Sequence, residues 1–209
     1  MKASESVVGI ILAGGLARRM GGGDKCLLPL VGKTLLQRTI DRAQPQVAHL
    51  LLNANGSSLR FARTRLPVIP DLFSNNLGPL AGIHAGFTWM ETHTPSVEWL
   101  VSFASDTPFF PNSLTSDFLR AVTAHPATKL VVATSKSKQH PVFALWHKSL
   151  MRDISKLLEA GTPPRLQDWV NSHHPQQVDY SASSFDPFFN INTPQDLYDA
   201  EPLAAMADK

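Results

Sequence analysis

The sequence predicts an α/β fold: one domain of 209 residues on a doubly wound, mostly parallel sheet with a single antiparallel strand. Three observations predict it. Short branched apolar runs alternate with segments of helical periodicity along nearly the whole chain. The first run, Val7-Val8-Gly9-Ile10-Ile11-Leu12, is apolar toward both faces, as in a strand that helices cover on each side. One link, Ser135-Lys136-Ser137-Lys138-Gln139, is too short for a crossover, so residues 129–134 and 140–146 form a hairpin.

The elements follow in order. The first strand ends in Ala13-Gly14-Gly15, and a loop carries Arg18, Arg19, three glycines and Lys25. Gly32 is a turn residue before a helix over 35–43, where Leu35, Leu36, Ile40 and Ala43 share a face. His49-Leu50-Leu51-Leu52-Asn53 is a second buried strand, and Val68-Ile69-Pro70-Asp71 a short third one after Pro67. Pro79 suits the first turn of a helix reaching about Met90, because its missing N–H is unneeded there. Residues 98–106 are the fourth strand, ending at Asp106 before Thr107-Pro108. Helices over 114–124, 148–160 and 166–172 follow, with extended segments at 178–180 and 188–194. Thr193 caps a last helix that has Pro194 at its first position. Residues 1–6 and about 203–209 are expected to fray.

Composition narrows the functional classes. Apolar residues make up 43% and charged residues 17%, and the net charge is +2, too little to attract nucleic acid or an anionic membrane. The single cysteine, Cys26, excludes an internal disulfide and a multi-cysteine zinc site, and fits a reducing cytoplasm. No secretory or membrane-spanning segment is expected, since the run from Val7 is too short.

In a doubly wound sheet, ligands bind beyond the carboxyl ends of the strands. Polar residues gather at four such ends: the loop after Leu12, Asn53 with Asn55, Asp71, and Asp106. Glycines in the first loop let backbone N–H groups approach a ligand, and Arg18, Arg19 and Lys25 beside them suit a polyphosphate. It is not a P-loop, because Leu27 stands five residues before Gly32-Lys33; a dinucleotide fingerprint fails at Cys26. Asp106 is a hard oxygen ligand placed for magnesium, which takes one or two carboxylates and fills its other positions from phosphates. Asn53 and Asp71 are either ligand contacts or Asx-turn residues. Asn190 and Asn192 point to the same face of an extended segment, or form the turn before Thr193.

The motif Leu12-Ala13-Gly14-Gly15-x-Ala17-Arg18-Arg19-Met20-Gly21-Gly22-x-Asp24-Lys25 resembles the signature of molybdenum cofactor guanylyltransferases, the MobA family. The resemblance continues in order through Asn53-Ala54-Asn55, Asp71, Gly78-Pro79-Leu80-Ala81-Gly82, Asp106-Thr107-Pro108, His140-Pro141 and Asn190-Ile191-Asn192-Thr193-Pro194. It implies a Rossmann-like nucleotidyltransferase that moves GMP from GTP to Mo-molybdopterin, with Mg²⁺ and in the cytoplasm. It further implies that Leu12, Ala13, Gly14, Gly15, Lys25, Asn53, Asp71 and Asp106 bind GTP, and that Asp106 also binds the metal. Arg19, Lys25 and Asp106 are then the catalytic set, and Asn190 and Asn192 the molybdopterin side. Implied partners are molybdopterin-loading proteins and recipient molybdoenzymes. Two alternatives stay open: another nucleotidyltransferase, using CTP on the same pterin or acting on a sugar phosphate, and a non-catalytic module that delivers cofactor.

Overall fold

The computed structural model describes residues 6–14, 24–73, 77–183 and 185–207. Its central strand, β1 (Val7–Leu12), lies parallel to β4 (His49–Asn53) on one side and to β6 (Trp99–Ala104) on the other. Outward from these come β5 (Val68–Ile69), β7 (Leu130–Ser135), β8 (Lys138–His147) and β9 (Gln176–Asp179), in the order β5-β4-β1-β6-β8-β7-β9. Only β8 runs against its neighbours in this sheet. The expected hairpin is β7–β8, and its turn residues Lys136 and Ser137 have φ of 48° and 62°. Two consecutive positive φ values twist a two-residue loop the way the flanking strands twist.

Alternation along β1 divides the core. Val7 and Ile11 face Leu36 and Ile40 of α1 (Leu35–Ala43) and Phe118 of α3 (Leu114–Ala124). Val8 and Ile10 face Ile83 and Phe87 of α2 (Pro79–His93), with Ile154 of α4 (Met151–Glu159) and Val170 of α5 (Leu166–Ser172). All four β1 residues are fully buried, each worth about 1.5–3 kcal/mol relative to exposure. Thr34 caps α1 by accepting the Gln37 N–H at 3.0 Å.

The structure adds to the sequence expectations in two places and departs from them in a third. Gly32 is the turn residue expected before α1, and its turn also closes a hairpin, β2 (Pro29–Leu30) with β3 (Lys33–Thr34). Val31 and Gly32 have φ of 45° and 76°, and the Arg38 guanidinium pins the turn by donating to the Leu30 and Val31 carbonyls at 2.9 and 2.7 Å. Residues 203–207, expected as a frayed tail, are helical and complete α6 (Pro194–Ala207); residues 1–5 and 208–209, expected to fray as well, lie outside the described residues. Ala200 and Ala204, one turn apart, are buried against the third core cluster with Leu30, Phe109 and Ile191. Residues 188–192 belong to no strand of the sheet, and the Ile191 N–H donates to the Asp106 carbonyl at 3.0 Å.

Candidate active site

Parallel pairing brings the carboxyl ends of β5, β4, β1 and β6 to one edge of the sheet. The polar residues expected there are present, but they form two clusters rather than one crevice lining.

The first cluster belongs to β4 and β5. Asn53 donates from Nδ2 to Asp71 Oδ1 at 2.9 Å, and Asn55 donates from Nδ2 to Oδ2 at 2.7 Å. Asp71 returns its backbone N–H to Asn55 Oδ1 at 2.9 Å, so the Asn55 amide is held at both ends. Asn53 also donates to the Ile69 carbonyl at 3.2 Å. Its Oδ1 lies against α2, where a Cβ on Gly82 would come within 2.3 Å of it. Gly82 is therefore required for close approach of a helix to a strand end.

The second cluster centres on Lys25, in a short 3-10 turn over Lys25–Leu27. Its Nζ lies 2.6 Å from Asp106 Oδ2, 2.5 Å from Asn192 Oδ1 and 3.4 Å from Asn190 Oδ1. An ammonium has three hydrogens, and three oxygens from two distant segments face it. The Lys25 side chain is only 10% exposed, and its carboxylate partner 23%. The start of α6 positions Asn192. Asp196 Oδ2 accepts the Asn192 and Thr193 N–H groups, both at 2.8 Å, while Thr193 Oγ accepts the Asp196 N–H at 3.1 Å. This reciprocal cap is the one Thr193 was expected to begin. Burial alone would raise the Asp196 carboxyl, but the bonds from Asn192 and Thr193 outweigh it and hold it below the usual range.

Among the other expected residues, Leu12 accepts the Ser105 N–H at 3.4 Å through its carbonyl. The Ala13 N–H is committed to the Asn53 carbonyl at 2.9 Å and continues the sheet ladder, so it is not a free donor for a ligand. Gly14 is exposed. Gly15, Arg18 and Arg19 lie outside the described residues.

Sequence reasoning missed Arg60. Its Nε lies 2.7 Å from Asp24 Oδ2, and its Nη2 donates to the Asn55 carbonyl at 2.5 Å. Arg60 thus ties the residue before Lys25 to the first cluster. Only its closeness to the Asn55-Gly56 turn could have flagged it. Cys26, next to Lys25, is buried; that burial and the nearby Asp24 carboxylate push its thiol up to about 12, so it is no nucleophile. A cavity of about 530 Å³ opens beside Pro108 and Phe109, outside the two clusters. Its cations are engaged: Lys33 with Asp41, Arg38 with the β2–β3 turn, and Arg42 with the Phe110 carbonyl.

The geometry places an ammonium next to one hard carboxylate, at the same sheet edge as the amide–carboxylate cluster of Asn53, Asn55 and Asp71. That suits a phosphate-bearing ligand with a flat polar end. Comparison with known proteins shows the family. A family model described as a MobA-like NTP transferase domain matches residues 9–178. A molybdenum cofactor guanylyltransferase of Nitrobacter hamburgensis is 42% identical over 198 residues, 95% of this chain and 94% of that protein. Another from a Bradyrhizobium species is 42% identical over 204 residues, 98% of this chain and 96% of its own. The crystal structure of molybdopterin-guanine dinucleotide biosynthesis protein A from Archaeoglobus fulgidus superposes with a TM-score of 0.72, at 22% identity and over 95% of this chain and 99% of that one.

Proposed function

The chain belongs to the MobA-like NTP transferase family, and on that premise we propose that it is a molybdenum cofactor guanylyltransferase. It transfers GMP from GTP to the phosphate of Mo-molybdopterin, giving molybdopterin guanine dinucleotide cofactor and pyrophosphate. The observation that carries this reading is the Lys25 ammonium, held at the sheet edge by Asp106, Asn190 and Asn192.

In this reaction an oxygen of the acceptor phosphate forms a bond to the α-phosphorus. The bond from that phosphorus to the bridging oxygen breaks, and its electron pair leaves with pyrophosphate. The attacking oxygen is already anionic, so no side chain needs to remove a proton. The protein must position two anions and offset the charge on the oxygens between them. Lys25 supplies a fixed positive charge for this, and Arg19, by the family signature, a second one. Asn53, Asn55 and Asp71 hold the guanine nucleoside end, and by the family signature Leu12, Ala13, Gly14 and Gly15 contact the nucleotide.

Asp106 fits magnesium. Its Oδ2 faces Lys25 and its Oδ1 meets only the neighbouring Thr107 hydroxyl, at 3.2 Å, among the described residues. A single carboxylate suffices when substrate phosphates supply the remaining oxygens. Bound there, Mg²⁺ would neutralise phosphate charge. Asn190 and Asn192 have a task beyond the acceptor side: both orient Lys25. We assign the work to the cytoplasm, together with proteins that load molybdopterin and enzymes that receive the product. No helix among the described residues is long and apolar enough to cross a membrane.

The test is pyrophosphate release with Mo-molybdopterin and each of GTP, CTP, ATP and UTP, with and without Mg²⁺. Release with GTP and magnesium is expected. Equal use of CTP would replace guanylyl by cytidylyl transfer, and nucleotide binding without pyrophosphate would mean a delivery module.

A further inference from the structure

β8 begins at the same sheet edge as Asp106, because it runs antiparallel to β6 and β7. Four side chains, Ser135, His140, Asp186 and Phe188, meet there for which GMP transfer, as set out above, has no task. Ser135, the last residue of β7 and 1% exposed, donates its hydroxyl to Asp186 Oδ1 at 2.9 Å. The same Oγ lies 2.8 Å from Nε2 of His140. Phe188 stacks on the His140 ring with centroids 4.4 Å apart and planes at 25°, while its own N–H bonds Asp186 Oδ1 at 3.0 Å. Tyr180 and Phe143 pack on Phe188 in turn, at 5.5 and 4.9 Å. The imidazole is gripped by a hydroxyl and by the ring of Phe188, which stands two residues before Asn190 in the chain.

Counting protons identifies its tautomer. The Ser135 hydroxyl donates to Asp186 Oδ1, and that bond uses its only hydrogen. The hydroxyl then offers Nε2 a lone pair, and Nε2 must carry the proton. Burial lowers the His140 pKa, Lys138 lowers it further and Asp186 opposes both, which leaves the ring neutral at pH 7. Nδ1 therefore presents a lone pair. It bonds no described residue, and His140 is partly exposed.

We propose that His140 is a recognition residue for the acceptor, its Nδ1 accepting a hydrogen bond from a pterin N–H. This role rests on GMP transfer to molybdopterin. In the order β5-β4-β1-β6-β8, the residues assigned to GTP and metal end at β6, and β8 is the next strand. An acceptor joined to the α-phosphorus near Lys25 and Asp106 and extending away from the nucleoside passes over the start of β8. A lone pair repels phosphate oxygens and attracts the part of the acceptor rich in N–H groups, its pterin.

The test measures GMP transfer by the full chain, with the KM of GTP and of Mo-molybdopterin determined separately. His140→Phe keeps the stack on Phe188 and removes both nitrogens, whereas His140→Asn retains an oxygen near the Nδ1 position. The expected result is an acceptor KM raised roughly tenfold in His140→Phe, the worth of one hydrogen bond, with the GTP KM unchanged. His140→Asn should recover part of that loss. Should His140→Phe melt early, Ser135→Ala takes its place: without the hydroxyl the ring can change tautomer, and the acceptor KM should still rise. An unchanged acceptor KM in the folded variant, an equal rise for both substrates, or no recovery in His140→Asn would overturn the role while leaving GMP transfer standing. A wild-type chain that releases no pyrophosphate from GTP would overturn the transfer reaction and this role with it.

Discussion

The cluster at the ends of β4 and β5 joins residues 16 or 18 positions apart, whereas the Lys25 cluster joins residues 81, 165 and 167 apart. The first is self-contained. Two amides occupy both oxygens of Asp71, and a backbone N–H closes the ring of bonds. The second concentrates one positive charge on oxygens brought from distant parts of the chain. A local, satisfied cluster suits the shape of a ligand end, and its loss should appear in KM. A charge held in place suits a developing anion, and its loss should appear in kcat.

The strongest way to break this contrast is Lys25→Ala. Removing one well-placed electrostatic donor costs on the order of 10²–10³ in rate. Turnover, read as pyrophosphate release, should nearly vanish while GTP still binds; near wild-type turnover would sink the assignment. Next in size is Gly82→Ala. Helix propensity alone predicts that alanine stabilises by about 1 kcal/mol. The added Cβ would press on Asn53 Oδ1 and on Leu12, however, and such overpacking costs about 1–3 kcal/mol. A thermal melt should therefore fall, and the GTP KM should rise with the displaced Asn53; a higher melting temperature would refute the contact.

Arg60→Ala probes the link between the clusters. Its partly exposed ion pair with Asp24 and its bond to the Asn55 carbonyl together contribute about 1 kcal/mol. A severalfold rise in GTP KM with little change in kcat is expected from steady-state kinetics. The smallest effect concerns Cys26. With its thiol pushed up to about 12, it stays protonated at pH 8, and alkylation should be slow until the chain is denatured. Fast labelling of the native protein would show that the segment beside Lys25 opens.

Individual residues show where the sequence could be read and where it could not. Asn53, Asp71 and Asp106 were legible because each stands where an apolar run stops. Asn190 and Asn192 were legible as a pair because alternate residues of an extended segment share a face, and both amides do meet Lys25. The β2–β3 hairpin was not, since two-residue strands are too short to show a period. The bond from the Ala13 N–H to the Asn53 carbonyl was not legible either, since only the register of β1 and β4 reveals it.

The sequence by itself determined the alternation of elements, the hairpin at Lys136-Ser137, the cap at Thr193 and the polar residues that end the strands. These depend on periodicity and turn chemistry within a few neighbouring positions. Only the tertiary structure decided that the strand-end residues divide into two clusters. It alone joined Arg60 to Asp24, aimed Asn190 and Asn192 at one ammonium, and buried Ala204 in a tail that composition marks as loose. Those contacts depend on sheet order and on which faces pack together, and no local stretch of sequence encodes the partner that folding brings from more than a hundred residues away.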